Sequence, residues 1–446
     1  MGVEEGDVTP QEQPEVARAP RPWYRSWWVK PALVAFASYI LLDCARVGME
    51  PTASDCKAQE ARVPGKNEAL EGYPWICGVQ ELAAEVAGPV RVFAFTQPTG
   101  SWCWSNGGLI IDDEAGAFSI VDAATDMRLT KRMKEAYSPL VDGLTPMWLL
   151  FTHGDLDHAY GSDMMTTLGR LGMVAHNETA KMIAKQPRPQ QFALSINRGR
   201  FLWALLAPKG QPRWLLRGLL AALPGPLFEH AIGFLGKLRA CEFFAPFHFD
   251  EVTRFIKPTH VYDEHLLDLS LGGQGHQGNM VVMHKVDGAH SAGDTFVDVH
   301  SKGVVFAGDL LFIGVSPIMW EGPAETFIEA LEELLDTEAK LFVPGHGPVT
   351  DRGGVEASID YWEYVAEGTK ACLQAGVDAH PCGLQMLADL PRPWRDWADP
   401  ERILINVVVQ MGHLRDPGNF KVKGSQKFGL IQQQGTHLLK QQLGYL

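Results

Sequence analysis

Several features are scarce in this 446-residue chain, and each scarcity argues against a class of protein. It has only seven cysteines and no C-x-x-C pair, so neither a disulfide scaffold nor a thiolate zinc or thioredoxin-like site is expected. Lys and Arg number 39 against 53 Asp and Glu, and the net charge of −14 disfavours a dedicated nucleic-acid binder. The sequence has no G-x-S-x-G elbow, no P-loop and no convincing dinucleotide-binding glycine motif, which disfavours serine hydrolases and nucleotide-dependent enzymes.

Long apolar runs are also lacking, and the main membrane candidate is the short segment 27–42. Its apolar part, 31–42, is shorter than the roughly 20 residues that a spanning helix needs. Basic residues precede it and two tryptophans lie at its edge, as at a membrane interface. We interpret 1–50 as a disordered tail that carries this segment, which is a membrane anchor, a signal-peptide core or a packed helix. Localisation stays open between the cytoplasm and single-pass or peripheral membrane attachment.

From about residue 88, short apolar runs alternate with turns and helical patterns. Strands are predicted at 91–95, 108–111, 117–121, 146–151, 279–285, 303–306 and 341–343. Helices are predicted from Thr125 or Asp126 to Tyr137, from His158 to Gly172, and behind Pro323, a favourable first helical residue. This alternation implies one layered α/β domain over 88–352.

Two segments depart from the alternation. Residues 190–247 mix Trp, Leu and Phe with Arg and Lys, and are predicted to form a helical insertion. That insertion is a lid over a pocket, a cover packed on the sheet, or an amphipathic pair of helices facing a membrane. Residues 353–415 have a helical pattern and 418–446 form a tail of unclear role, so 353–446 is predicted to be a helical C-terminal extension followed by a tail.

Potential metal ligands follow four of the predicted strands. In chain order they are His153, Asp155, Asp157, His158, His290, Asp309 and His346. Glycines flank the last three and allow the backbone to turn sharply, and loops on a rigid sheet are where sites usually form. A single His or Asp beside glycine would more often be a turn residue or a helix cap. The joint pattern of imidazoles and carboxylates instead predicts a metal site.

The motif His153-x-Asp155-x-Asp157-His158, followed by distant His, Asp and His residues, resembles the signature of the metallo-β-lactamase fold superfamily. The resemblance covers 90–352, and segments 305–314, 317–320 and 344–349 are similar to a hydrolase-like, glyoxalase II-related branch. It implies an α/β fold, a four-layer αββα sandwich of two mixed β-sheets flanked by helices. It also implies two divalent metal ions, with Zn favoured.

The resemblance also assigns ligands to each ion. The first ion would be held by His153 and His290, the second by Asp157, His158 and His346, and Asp309 would bridge the two. Asp155 departs from the pattern, because the family has a second His at this position. An added carboxylate makes the site less positive and favours metals that accept oxygen ligands, so Mn and Fe become candidates beside Zn.

The implied function is a hydrolase in which a metal-bound hydroxide attacks an ester, thioester, lactone or related bond of a small molecule. Asp157 and Asp309 are the predicted catalytic residues, because either would orient the hydroxide and accept its proton. An apolar pocket wall is predicted from five side chains, Trp102, Trp104, Phe312, Met319 and Trp320. The alternative is that these side chains belong to the protein core.

Two functions of other classes remain open. One is a mononuclear iron oxidoreductase, as the sulfur dioxygenases of the superfamily are. The other is a non-catalytic, membrane-associated protein with a vestigial metal site. The expected partner is a small-molecule substrate rather than a nucleic acid, with membrane association through 27–42 or 190–247 as a further candidate.

Overall fold

The computed structural model describes residues 78–82, 88–98, 102–207, 213–252, 256–272 and 279–446. The predicted tail 1–50 and its apolar segment 27–42 lie outside these ranges. No helix within the described part of the chain is long and apolar enough to cross a membrane.

Two mixed β-sheets form the centre of the fold. The first sheet runs in chain order through seven strands: β1 (Gly78–Glu81), β2 (Val90–Thr96), β3 (Gly107–Asp112), β4 (Ala117–Val121), β5 (Thr145–Leu150), β6 (Gly172–His176) and β7 (His260–Tyr262). The second has the order β12-β11-β10-β9-β8, with β8 (Leu266–Ser270), β9 (Met280–Lys285), β10 (Thr295–Val299), β11 (Val304–Phe312) and β12 (Leu341–His346). Pairing is antiparallel from β1 to β4 and from β8 to β11, and parallel from β4 to β7 and between β11 and β12.

Helices lie between and after these strands. Those before β7 are α1 (Met127–Tyr137), α2 (Leu156–Ala159), α3 (Ser162–Met165), α4 (Asn177–Lys185), α5 (Pro189–Leu206), α6 (Arg213–Ala221) and α7 (Gly225–Ala240). Those after β11 are α8 (Ala324–Asp336), α9 (Arg352–Gln374), α10 (Ala379–Ala388), α11 (Ile403–Arg415) and α12 (Gly424–Leu443).

The central core lies between the two sheets, because side chains alternate along each strand. In β2, Val90, Val92 and Ala94 join the cluster between the sheets, whereas Phe93 joins the cluster on the outer face. Phe306 of β11 packs so closely on Gly108 that a Cβ there would lie 2.1 Å from its ring. Only glycine fits at this point of closest approach between the sheets.

Helices cover both outer faces. Met133 and Tyr137 of α1 pack on the first sheet. On the second sheet, Phe327 of α8 stacks on Trp362 of α9 with ring centroids 4.0 Å apart. These layers confirm the predicted αββα sandwich.

The insertion and the C-terminal extension pack against each other. Helix α7 and helix α12 meet at Gly236 and Gly435, where a Cβ on Gly236 would lie 2.0 Å from Thr436 Oγ1. The segment 418–446, for which the sequence suggested no role, therefore contains a helix docked on the insertion. Within the extension, Cys372 and Cys382 form a disulfide, and Cys103 and Cys241 are unpaired and buried.

Two predicted helix boundaries are wrong. The helix predicted from His158 to Gly172 is divided into α2, α3 and a short 3₁₀ turn, and Gly172 begins β6. The break falls at Gly161, which packs against Thr130 and donates its N–H to Ala124 O at 2.9 Å. Pro323 is the N-cap of α8 rather than its first helical residue, with extended backbone.

Candidate metal centre

The predicted ligands are delivered to one edge of the sandwich by four chain segments. The residues that follow β5 form a turn in which Asp155 is the N-cap of α2, and Asp157 and His158 lie in that helix. His290 lies in the loop between β9 and β10, Asp309 within β11, and His346 at the end of β12. Because β11 and β12 run in parallel, their carboxyl ends place these side chains at the same edge.

The structure brings all seven side chains together in two adjoining groups. Within each group the potential ligand atoms lie within 4.8 Å of one another, and the groups are Asp157, His158, Asp309 and His346, and His153, Asp155 and His290. Six of the seven are buried and Asp155 is half-buried. This division matches the two ligand sets that the resemblance implies, and the metal-binding role of these residues remains a prediction.

Asp309 lies between the two groups. Its Oδ1 is 3.1 Å from His158 Nε2 and 3.4 Å from His346 Nε2. Its Oδ2 is 3.3 Å from His290 Nε2 and 3.7 Å from His153 Nε2. The two carboxylate oxygens therefore face different histidine pairs, which is the arrangement a bridging ligand requires.

Asp155 and Asp157 each serve one group. Asp155 Oδ2 is 3.1 Å from His290 Nε2, and Gln186 Nε2 lies 3.3 Å from its Oδ1. Asp157 Oδ2 is 3.3 Å from His346 Nε2. The carboxylate at position 155 thus occupies a position in the first group rather than pointing to solvent.

Each histidine presents Nε2 to the centre because its Nδ1 contacts another acceptor or hydroxyl. His290 Nδ1 lies 2.9 Å from Ile318 O and His346 Nδ1 lies 3.0 Å from Trp104 O. Phe312 stacks on the His346 ring with centroids 5.0 Å apart. Such outer contacts fix the tautomer and the ring orientation of a ligand histidine.

Asp122 orients two parts of the centre and was not predicted from the sequence. Its carboxylate lies 2.8 Å from His158 Nδ1 and accepts hydrogen bonds from both the backbone N–H and the hydroxyl of Thr152. The Thr152 hydroxyl is also 3.1 Å from His153 Nδ1. Asp122 follows β4 directly, so the signal that identified the other residues, a carboxylate at a strand end, was present here too.

Glycines make room for the ligands at two positions. A Cβ on Gly345 would lie 1.9 Å from Asp309 Oδ1, so a side chain there would displace the central carboxylate. Gly308 has a φ of 55°, which favours glycine, and it packs against Thr152. The β11–β12 register shifts at Gly308, and this irregularity directs Asp309 into the centre.

The electrostatics of the centre depend on burial and on paired charges. Burial, assisted by the nearby His158, lowers the pKa of His153 to about 3, so this ring is neutral. Burial opposes protonation of His290 as well, but Asp309 and Asp155 raise the pKa of His290 to about 9. Burial alone would raise the pKa of Asp309, yet the four histidines hold it well below its usual range. The Asp309 carboxylate is therefore ionised.

The donor set fits a metal ion. His153 Nε2, His158 Nε2 and Asp309 Oδ1 are buried and have no well-formed hydrogen bond in the structure. Buried polar atoms are normally satisfied, and an ion at this place would satisfy all three. Imidazole nitrogens and carboxylate oxygens are ligands of Zn, Mn and Fe.

A pocket of about 210 Å³ opens onto the ligands. Trp102, Phe312 and Trp320, three of the five predicted wall residues, line it. Trp104 and Met319 are not among its lining residues, and Met319 is buried in the core behind the second sheet. The C-terminal helix α12 supplies Phe428 and other residues of the wall, a contribution that the sequence did not indicate.

Lys427 of α12 is a cationic group in this largely apolar wall. Its Nζ lies 5.0 Å from the centroid of the Trp320 ring. Burial would raise the pKa of Asp155, but the charge of Lys427 and the contact with His290 hold it well below its usual range. Lys427 therefore brings a positive charge within electrostatic reach of the ligands.

Comparison with known proteins agrees with this architecture. A sequence profile described as the metallo-beta-lactamase superfamily matches residues 102–346, more than half of the chain. A search of curated protein sequences gives no match. The chain belongs to the metallo-beta-lactamase superfamily.

Several solved structures are similar to this chain. A double mutant of the sec-alkylsulfatase PisA1, an enzyme from Pseudomonas sp., matches with a TM-score of 0.50 and 10% identity over 82% of this chain and 55% of that one. A metallo-beta-lactamase family protein from Thermus thermophilus has 20% identity and a TM-score of 0.42 over 76% and 94%. A metallo-beta-lactamase from Erythrobacter litoralis has 13% identity and a TM-score of 0.39 over 64% and 96%.

Proposed function

We propose that this protein is a metal-dependent hydrolase that cleaves an ester, thioester, lactone or related bond of a small, partly apolar molecule. The observation that carries the proposal is the pair of buried ligand groups, joined by Asp309, at the base of a pocket with apolar walls. The superfamily to which the chain belongs supports the same conclusion.

The two ligand groups would each hold one divalent ion, with Zn favoured and Mn or Fe as candidates because of Asp155. The first group is His153, Asp155 and His290, the second is Asp157, His158 and His346, and Asp309 would serve both. When bound, such ions acidify a water molecule and polarise the oxygen of the bond to be cleaved.

The chain's own residues would orient the reactants and move the proton. Asp157 and Asp309 both line the pocket as well as belonging to the ligand groups, so their carboxylates can accept a proton from a water molecule bound there. Trp102, Phe312 and Trp320 would hold the apolar part of the substrate and exclude bulk water. Exclusion of water strengthens the electrostatic interactions of the site.

The charge of Lys427 restricts the class of substrate that we propose. Two cationic side chains line the pocket, Arg402 and Lys427, and Arg402 is paired with Asp399. The charge of Lys427 on a largely apolar wall favours a substrate that has an acidic group some distance from the bond to be cleaved. The proposed substrate is therefore a small ester-like molecule with an apolar portion and a carboxylate or similar anion.

The test is metal analysis of protein purified without added metal, together with a panel of small esters, thioesters and lactones. We expect close to two ions per chain and turnover of part of the panel. His346→Ala should lose metal and turnover while circular dichroism stays unchanged. His230→Ala, which alters an exposed histidine far from the ligands in sequence, is the matched control and should keep both. A metal-free wild-type protein would refute the proposal.

Asp155 favours one second candidate, a mononuclear iron oxidoreductase. Its Oδ2 lies 3.1 Å from His290 Nε2, so the first group offers an oxygen ligand where the family has an imidazole. Oxygen ligands are compatible with iron. One Fe per chain and no turnover of the panel would support this candidate. Asp155→His should then shift metal preference toward Zn, and an unchanged preference would show that this carboxylate does not select the metal.

A further inference from the structure

The insertion helices expose a large amount of apolar surface. Fourteen large hydrophobic side chains are exposed in the described part of the chain, and ten of them lie between residues 194 and 234. These ten, here called the insertion face, are Leu194, Phe201, Leu202, Leu206, Trp214, Leu215, Leu219, Leu223, Leu227 and Phe234. Apolar patches of this extent on a soluble protein usually mark an interaction site.

The exposed residues follow helical spacing, so they form stripes rather than scattered points. In α5, Leu194, Phe201 and Leu202 are separated by seven and eight positions, which places them on one side of the helix. In α6, Leu215 and Leu219 are four positions apart, and in α7, Leu227 and Phe234 are seven apart. Each insertion helix thus has an apolar stripe in contact with solvent.

These stripes are not the surfaces by which the helices pack on the protein. Leu220 of α6 and Ile232 and Leu235 of α7 are buried in a cluster with Leu439 and Leu443 of α12. Helix α5 uses Ala193, Ile196 and other buried residues to contact the core behind the second sheet. The insertion helices are therefore apolar on two sides. One side of each helix packs on the rest of the protein, and the other faces solvent in the described structure.

The charge of the insertion indicates the partner. Residues 189–240 contain seven Lys or Arg and one Glu, a net charge of +6 within a chain whose net charge is −14. Arg198 is exposed and lies within the stripe of α5, and Lys237 is exposed one turn after Phe234. Exposed Leu, Phe and Trp beside basic residues are the composition of helices that lie in the interface of an anionic membrane.

We propose that the insertion face docks the protein on the surface of an anionic lipid bilayer. Its apolar side chains would enter the headgroup boundary, and Arg198 and Lys237 would contact lipid phosphates. The insertion faces of two copies carry the same positive charge and would repel each other, so charge favours an anionic bilayer over face-to-face pairing with a second copy. This inference is independent of the proposed hydrolase activity, since it uses none of the ligand residues.

Docking would also bring the pocket close to the lipid. Phe192 of α5 and Phe428 of α12 both line the pocket, and α7 packs directly on α12. The elements that would touch the membrane are thus the elements that form the pocket wall or pack on it. A substrate with an apolar portion would partition into the bilayer and be concentrated there. Docking would place the pocket next to this concentrated substrate.

The test is vesicle sedimentation of the full chain, with phosphatidylcholine vesicles and with vesicles that also contain phosphatidylglycerol. We expect binding to the anionic vesicles only, and weaker binding at high salt, because basic residues near anionic lipid are screened. The double variant Trp214→Glu, Leu219→Glu should bind at least about tenfold more weakly, since it removes two large inserted side chains. Both residues are exposed, so the fold should be unaffected.

A matched control variant introduces two glutamates at exposed apolar positions outside the insertion face. Val261→Glu, Leu266→Glu alters two exposed apolar residues of β7 and β8 and adds the same charge. It should bind like wild-type protein. Vesicles with brominated acyl chains should quench the tryptophan fluorescence of wild-type protein, and quench that of Trp214→Phe clearly less.

Three outcomes would overturn the proposal. The first is that the double variant binds anionic vesicles as strongly as the wild-type protein, which would place the membrane anchor elsewhere in the chain. The second is equal binding to neutral and anionic vesicles. The third is the absence of vesicle binding together with a dimer that the double variant dissociates, which would show that a second copy covers the insertion face.

Discussion

Asp122 orients side chains of the candidate metal centre. It has a φ of 56°, an uncommon conformation for a residue other than glycine, and it contacts His158 and Thr152 together. Strained backbone conformations persist where the surrounding structure enforces them, often at functional sites. This conformation places one carboxylate in contact with both ends of the turn 152–158, which carries four of the predicted ligands.

Replacing this carboxylate should weaken metal binding without unfolding the protein. Asn tolerates the same backbone conformation but removes the charge, so we expect Asp122→Asn to lower metal affinity by about 10–100-fold. Titration against a chelator of known affinity measures the effect. Asp142→Asn, at an exposed position, is the control. Unchanged affinity in Asp122→Asn would show that the His158 contact is not needed.

Lys427 can be tested through substrate preference. Because its charge is expected to bind an anionic group, Lys427→Gln should raise KM for acidic substrates by about tenfold and leave KM for neutral ones unchanged. The measurement is the ratio of KM values for a carboxylate-bearing ester and its methyl ester. Lys421→Gln, an exposed lysine that does not line the pocket, is the control. An equal rise for both esters would assign Lys427 a structural role instead.

At the scale of elements, the contact between α7 and α12 joins the insertion to the pocket wall. The contact is close because Gly236 and Gly435 lack side chains. Trp102 Nε1 also donates to Gln434 Oε1 of α12 at 3.0 Å. Separation of these helices would open the pocket as well as destabilise the fold.

Adding a single methyl group at the contact between α7 and α12 should measurably destabilise the protein. Gly236→Ala forces a Cβ to within 2.0 Å of Thr436, so we expect a loss of about 1–3 kcal/mol in the free energy of unfolding despite the better helix propensity of Ala. Gly233→Ala, one turn earlier in α7, meets only Gln432 at 3.7 Å and should be neutral or stabilising. Urea unfolding of both variants gives the comparison. Equal stability of the two variants would contradict the close-contact argument.

The sequence predicts those elements whose signals are local. Seven of the twelve described strands were predicted because apolar runs and turns alternate there, and the seven candidate ligands because each follows a predicted strand. The strands β1, β6, β7, β8 and β10 were not predicted. Helix α12 was missed because its buried residues, such as Leu430 and Leu439, contact distant elements and 418–446 shows no strong stripe of its own. The role of Asp122 depends on proximity to His158, 36 positions away, which no local pattern encodes.

At the scale of the whole molecule, one buried carboxylate should make stability depend on pH. Asp298 of β10 is 5% exposed, and burial raises its pKa to about 6. An unfolded Asp has a pKa near 3.9, so the folded state binds the proton more tightly. The stabilising contribution of the protonated form is therefore complete below about pH 4 and is lost as the pH rises through about 6.

Asp298→Asn should remove this dependence. We expect it to raise the free energy of unfolding at pH 8 by on the order of 1–3 kcal/mol and to have little effect at pH 4. Urea unfolding at the two pH values measures the difference. Asp268→Asn, at an exposed position in the neighbouring part of the same sheet, should have little effect at either pH. An equal gain at both pH values would show that the proton is not involved.

The position of α12 in the chain has a consequence for biosynthesis. All seven predicted ligands have been made once residue 346 is added, whereas the wall of the pocket is complete only when residue 431 has been made. At translation rates of about 5–20 residues per second, the nascent chain spends roughly 4–17 s with its ligands synthesised and its pocket open on one side. Ion uptake during that interval would meet no barrier from the C-terminal helix, and the last translated segment would then close over a loaded centre.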